Sequence, residues 1–141
     1  MVTFNRELEF QYADMNCKDY LESMDKHINK DRLYKKIKDN EVIVVKDKDN
    51  VIGWLRFNYF WDNIPMMNML FLEQPYRGKK IGKALVKFWE EEMRKQSYEQ
   101  VMTSTQADEH AQHFYRKLAY NDSGCLVLET QALEIILIKQ L

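Results

Sequence analysis

Seven consecutive residues, Arg77-Gly78-Lys79-Lys80-Ile81-Gly82-Lys83, place four cations and two glycines where an apolar run ends and a helical pattern begins. The first backbone N–H groups of a helix have no intrahelical acceptor, and the helix dipole adds partial positive charge there. A basic turn at such a point is a ready anion site, with phosphate the usual guest. Gly78 lets the backbone turn sharply and approach a ligand, and Gly82 leaves room in the first helical turn. Other phosphate signatures fit worse. The chain has no Lys-Ser or Lys-Thr pair for a nucleoside-triphosphate loop and no G-x-G-x-x-G. On these features alone, an ordinary basic turn ahead of a helix reads as well as a phosphate site.

The elements that must hold this turn follow from hydrophobic periodicity. Residues 8–12 alternate apolar and polar and predict a first strand. Helical stretches over 17–27 and 30–39 follow, the second with Leu33, Tyr34 and Ile37 on one face. Val42-Ile43-Val44-Val45, a turn at Asp47–Asn50 and a second run, Val51–Phe57, read as a hairpin. A loop near Asp62-Asn63 leads to the apolar run Met66–Leu72, which breaks at Glu73–Tyr76. A long helix is predicted over 80–95. Ile81, Ala84, Leu85, Phe88, Trp89 and Met93 form its apolar stripe, with Glu90, Glu91, Arg94 and Lys95 on the wet side. A strand over 100–105, a helix over 108–118 and strands over 122–129 and 132–139 complete the order. Antiparallel hairpins with one strand–helix–strand crossover predict an α/β (α+β) domain, a mixed sheet covered by helices on both faces.

Composition narrows the function classes. The 141 residues suit one domain, residues 1–141, and 45% apolar with 30% charged residues is an ordinary globular balance. A formal net charge of -1 supplies no general field for nucleic acid or an acidic membrane, so neither is expected as a partner. No stretch has the apolar length of a membrane span, and Met1–Glu7 lacks a secretory layout, which predicts a cytoplasmic protein. Two cysteines and three histidines give neither a disulfide framework nor a metal-ligand pattern, so no metal is expected.

Residues 77–82 resemble the pyrophosphate-binding signature of the GNAT acetyltransferase superfamily, Q/R-x-x-G-x-G/A. Arg77 matches its first position and Gly82 its last, while Lys80 stands where the middle glycine is usual. Leu70-x-Leu72 and Pro75-Tyr76 resemble the strand and turn that lead into it. Downstream, Asp108–Tyr120 is similar to the superfamily segment N-x-x-A-x-x-F-Y-x-K-x-G-F. There Asp108 replaces Asn, Ala119 replaces Gly and Tyr120 replaces Phe. The order of elements resembles the family over nearly the whole chain, and the specific motifs cover about residues 70–84 and 108–120.

The resemblance implies a single domain with about seven mostly antiparallel strands, and transfer of an acetyl group from acetyl-CoA to a primary amine. It implies that Arg77, Gly78, Lys79, Lys80, Ile81, Gly82 and Lys83 cradle the pyrophosphate. The backbone of Leu70 and Leu72 would pair with the pantetheine arm, and Asp108 and Ala111 would lie near the cofactor. Tyr115 matches the tyrosine that protonates the departing thiolate, a role that suits a phenol of pKa about 10. The same residue also falls on the apolar stripe of its helix, where a tyrosine serves the core. The general base stays open among Glu73, Glu41, His113, Glu129 and water, with Glu73 at the end of the cofactor strand. A non-catalytic module that binds CoA is the alternative.

For the acceptor, Tyr59 and Trp61 lie at a strand end and carry cation–π capacity for an amine. The expected partner is a small-molecule or peptide amine, and a homodimer stays open.

Overall fold

The computed structural model describes residues 8–141. The β-branched run Val42–Val45 is completely buried and forms the centre of a hairpin, β2 (Val42–Asp47) with β3 (Asn50–Phe60). The register runs Val45↔Gly53 and then Lys46↔Val51, so Ile52 is an extra residue on β3. The Ile52 carbonyl accepts the N–H of Glu73 at 2.9 Å. Gly53 is required by close approach. A Cβ there would lie 2.5 Å from the Phe71 carbonyl oxygen and 2.6 Å from Leu72 Cδ2.

The other strands are β1 (Leu8–Tyr12), β4 (Ile64–Leu72), β5 (Gln100–Gln106), β6 (Asn121–Leu126) and β7 (Glu134–Gln140). They form one seven-stranded sheet in the order β1-β2-β3-β4-β5-β7-β6. The β4–β5 pair is parallel and its register covers Met66↔Met102 and Met67↔Thr103. The pairs β1–β2, β2–β3, β5–β7 and β6–β7 are antiparallel. Among the described residues four α-helices accompany them: α1 (Lys18–Met24), α2 (Lys30–Lys38), α3 (Ile81–Lys95) and α4 (Ala111–Lys117). Among the described residues no helix is long and apolar enough to cross a membrane. This is the α/β class and mixed sheet that the sequence predicts.

The chain divides into two compact units. One contains the segment up to Phe57 together with Met69–Trp89. Its core includes Leu21, Leu33, Ile37, Val42, Val44 and Trp54. Asp25 in this unit is buried and receives the Arg56 guanidinium at 2.7 Å. That pairing draws Asp25 into an extended conformation and ends α1 at Met24, short of the predicted 27.

The other unit contains Asn58–Asn68 and Glu90–Leu141. Here Phe60-Trp61-Asp62-Asn63 closes the β3–β4 hairpin, with φ of 55° at Trp61 and 60° at Asp62 and the Asn63 N–H donating to Phe60 O at 3.1 Å. That is the mirror-image hairpin turn, built without the usual Asn-Gly. Helix α4 starts at Ala111 rather than 108, because Glu109 turns back to accept the Gln106 N–H at 3.1 Å. The last two strands are shorter than predicted and leave 127–133 as a loop.

Glu90 departs most from expectation. It is fully buried, not on the wet side of α3. Lys139 and Tyr120 supply the partners that make its burial tolerable, both far away in the chain.

Three helices close in the same way without glycine. Asn40, Ser97 and Ala119 take φ of 57°, 70° and 72° just past the caps of α2, α3 and α4. The next residue's N–H then reaches back to a helical carbonyl: Glu41 to Lys36, Tyr98 to Met93, Tyr120 to Tyr115.

Candidate active site

In the first unit, β4 ends at Leu72 and a single 3-10 turn, Gln74–Tyr76, redirects the chain. Pro75 sets its backbone angle, and the N–H groups of Tyr76 and Arg77 donate to Glu73 O and Gln74 O at 2.9 and 3.1 Å. The Tyr76 hydroxyl donates to Asp47 at 2.7 Å, tying the turn to the end of β2. Arg77 folds back on the same segment. Its Nε donates to Leu72 O at 2.7 Å and its guanidinium lies 5.3 Å from the Phe71 ring centre. Arg77 therefore braces the turn, whereas Lys79, Lys80 and Lys83 are exposed and carry the positive charge that faces solvent.

Gly78 takes φ 73° with open space around it, and Lys80 takes φ 64°. Lys80 thus adopts the left-handed conformation that suits the glycine usual at its position. The first helical hydrogen bond runs from Ala84 N–H to Lys80 O at 3.2 Å. The N–H groups of Ile81, Gly82 and Lys83 stand ahead of that ladder. Ile81 is buried and anchors the helix start, leaving the backbone above it as a positively polarised cradle. These groups fit a pyrophosphate.

Glu73 follows the last residue of β4. Its carboxylate accepts the Tyr20 hydroxyl at 2.7 Å, which joins α1 to the end of β4. Burial, then the bond to Glu73, pushes the Tyr20 phenol up. Leu70 and Leu72 are half-buried on β4, beyond the register with β5.

In the second unit, Tyr115 is buried, 7% exposed, on α4. Its hydroxyl donates to Met67 Sδ at 3.9 Å. Met67 is itself fixed by Thr103, whose Oγ1 donates to the Met67 carbonyl at 3.1 Å. Burial pushes the phenol up to about 12, with the Thr103 hydroxyl acting in the opposite direction. Tyr115 is therefore a neutral donor with a weak thioether acceptor, next to the last residue of β4 that is in register with β5. Asp108 is exposed in the turn before α4, and Ala111 is exposed as its first residue.

Tyr59 stacks on Tyr98 with ring centres 5.7 Å apart, and Trp61, 76% exposed, forms the tip of the β3–β4 hairpin. Tyr59 and Trp61 precede β4 in the chain and Glu73 follows it. Sequence reasoning missed Met67 and Thr103 as the neighbours of the Tyr115 hydroxyl, and Tyr20 as the partner of Glu73. Tyr20 and Glu73 lie 53 positions apart, with no local pattern to join them.

A model of the acetyltransferase (GNAT) family matches residues 6–120. No curated protein matches the sequence. Among solved structures the fold is similar to that of Ard1 from Thermoplasma volcanium, with a TM-score of 0.81 at 12% identity, over 95% of this chain and 97% of that one. It is similar to a ribosomal-protein-alanine N-acetyltransferase from Brucella melitensis, with a TM-score of 0.79 at 14% identity, over 94% and 99%. A GNAT acetyltransferase from Elizabethkingia anophelis with acetyl-CoA bound gives 0.76 at 15%, over 97% and 100%. With a family match over residues 6–120 and the matching fold, the chain belongs to the GNAT acetyltransferase family and is an acetyl-CoA-dependent acyltransferase.

Proposed function

We propose that this protein transfers the acetyl group of acetyl-CoA to a primary amine of a small molecule or peptide, by direct attack of the amine on the thioester. The observation that carries the reading is the Tyr115 hydroxyl, a buried neutral donor beside Met67. An amine acceptor is also supported by the similarity in fold to the ribosomal-protein-alanine N-acetyltransferase.

In this reading the cosubstrate's pyrophosphate lies on the N–H groups of Ile81, Gly82 and Lys83, with Lys79, Lys80 and Lys83 adding charge. The pantetheine arm pairs with the β4 backbone near Leu70 and Leu72, where no β5 register competes. The amine nitrogen forms a bond to the acyl carbon, a tetrahedral oxyanion results, and the C–S bond breaks. Tyr115 gives its hydroxyl hydrogen to the leaving sulfur and regains one from water. The proton lost by the amine goes to water.

In this reading water is the base, with Glu73 acting through water as the second candidate. The Glu73 carboxylate already accepts the Tyr20 hydroxyl.

Burial holds the Tyr115 phenol above the range of an ordinary thiol, so full transfer is uphill. Tyr115 therefore acts mainly as a hydrogen-bond donor that stabilises charge growing on sulfur, with its proton following late.

The test is a thiol-release assay with acetyl-CoA against a panel of amines, amino acids, polyamines and peptides, alongside calorimetry of CoA binding. Turnover with at least one amine is expected. Gly82→Glu should weaken CoA binding at least about 10-fold by placing a carboxylate against the pyrophosphate. Failure of the wild type to bind CoA would overturn the reading.

A further inference from the structure

Glu90, Tyr120 and Lys139 form a buried polar cluster within the second unit. The Tyr120 hydroxyl donates to Glu90 Oε2 at 2.8 Å and Lys139 Nζ donates to Oε1 at 2.9 Å. The Lys139 ammonium also lies 5.6 Å from the centre of the Tyr120 ring. A buried ion pair is a poor source of stability, since desolvation offsets its attraction and apolar side chains can replace it. What this one does is fix a ring.

That ring is in edge contact with Tyr115, centres 5.7 Å apart at 66°. The Tyr120 N–H also donates to the Tyr115 carbonyl at 3.1 Å, through the turn that Ala119 makes possible. The Tyr115 hydroxyl donates to a thioether at 3.9 Å, a weak acceptor, with the Thr103 hydroxyl as its other polar neighbour. These polar contacts hold only the tip of the phenol, and its ring is held by packing, with Phe114 on one contact and Tyr120 on another. Phenylalanine, the residue usual at position 120, would supply the ring without the hydroxyl that reaches Glu90.

We propose that Tyr120 is a positioning residue for Tyr115, with Glu90 and Lys139 holding its ring in place. The inference rests on the reading of Tyr115 as the acid. It acts on rate and not on cosubstrate affinity, because none of the three side chains belongs to the phosphate turn. Misplacing a reacting group by about 1 Å costs about 100-fold in rate, so a loosened but still packed ring should cost about 10-fold.

The experiment measures kcat and the KM for acetyl-CoA of Tyr120→Phe in the wild-type and Tyr115→Phe backgrounds. We expect kcat to fall about 10-fold in the first with KM changed less than about 2-fold, and no further fall in the second, since coupled residues are not additive. Unchanged kcat in Tyr120→Phe, or an equal loss in both backgrounds, would overturn the proposal. If Tyr115→Phe keeps the wild-type kcat, the acid reading itself fails. A loss in Tyr115→Phe with none in Tyr120→Phe removes the positioning role alone. Should Tyr120→Phe not fold because Glu90 loses a donor, the variant Glu90→Leu/Tyr120→Phe/Lys139→Met removes the charges together with the hydroxyl. It should show the same 10-fold loss, and wild-type kcat in it would overturn the proposal.

Discussion

The Tyr115 hydroxyl donates to the Met67 thioether at 3.9 Å, and Met67 is the last residue of β4 in register with β5. A weak acceptor leaves this donor available to a better one, and a leaving sulfur at the same place would be better. Burial pushes the phenol up to about 12. A raised pKa means the neutral form persists past the ordinary value near 10 and is lost only as pH rises through about 12. The rate constant kcat, followed from pH 7 to 10, should therefore show no falling limb from this group. A limb centred near 9 would contradict a buried neutral donor. The linked contribution to folding stability has the same sign, complete below about pH 10 and lost progressively as pH rises toward about 12.

Lys80 and Ala119 stand where the family resemblance has glycine, and both keep the glycine's backbone, at φ 64° and 72°. A left-handed residue with a Cβ costs about 1–2 kcal/mol, partly offset by the greater freedom of an unfolded glycine. Lys80→Gly and Ala119→Gly should each raise unfolding stability by about 0.5–1 kcal/mol in urea titrations. Loss of stability in both would mean that the turns do not hold these angles.

Gly53 lies against the backbone of β4 just before the turn. Gly53→Ala would put its Cβ 2.5 Å from Phe71 O, and overpacking of this kind costs about 1–3 kcal/mol. Because the neighbouring Ile52 carbonyl holds the Glu73 N–H, weaker CoA binding should accompany the lower stability. Normal binding in a destabilised variant would separate the bulge from the phosphate turn.

Trp61 is a bulky exposed residue at φ 55° in a mirror-image turn. The pair Trp61→Asn/Asp62→Gly supplies the preferred turn residues and should raise the melting temperature by about 2–4 °C. The acceptor KM should stay unchanged, and a several-fold rise would make the hairpin tip part of the acceptor site.

The sequence made legible what is local and periodic. The Val42–Phe57 hairpin, the start of α3 and the Ala111–Tyr120 segment are legible because β-branched runs, amphipathic spacing and a Gly-rich basic turn act over a few residues. The ends of helices were harder to read, since Asn40, Ser97 and Ala119 stop them where a glycine would have announced the stop. The Phe60–Asn63 turn was hidden for the same reason. Glu90 was misassigned because helical periodicity cannot reveal a partner 49 positions away. The candidate site was readable at its motifs, while Met67, Thr103 and Tyr20 required the folded chain.

The most direct measurement compares thiol release by Tyr115→Phe and wild type with the best amine acceptor, together with calorimetric CoA affinity for both. The predicted result is a kcat at least about 100-fold lower with CoA affinity within about 2-fold. A wild-type kcat in Tyr115→Phe would contradict the role of that hydroxyl at the leaving sulfur.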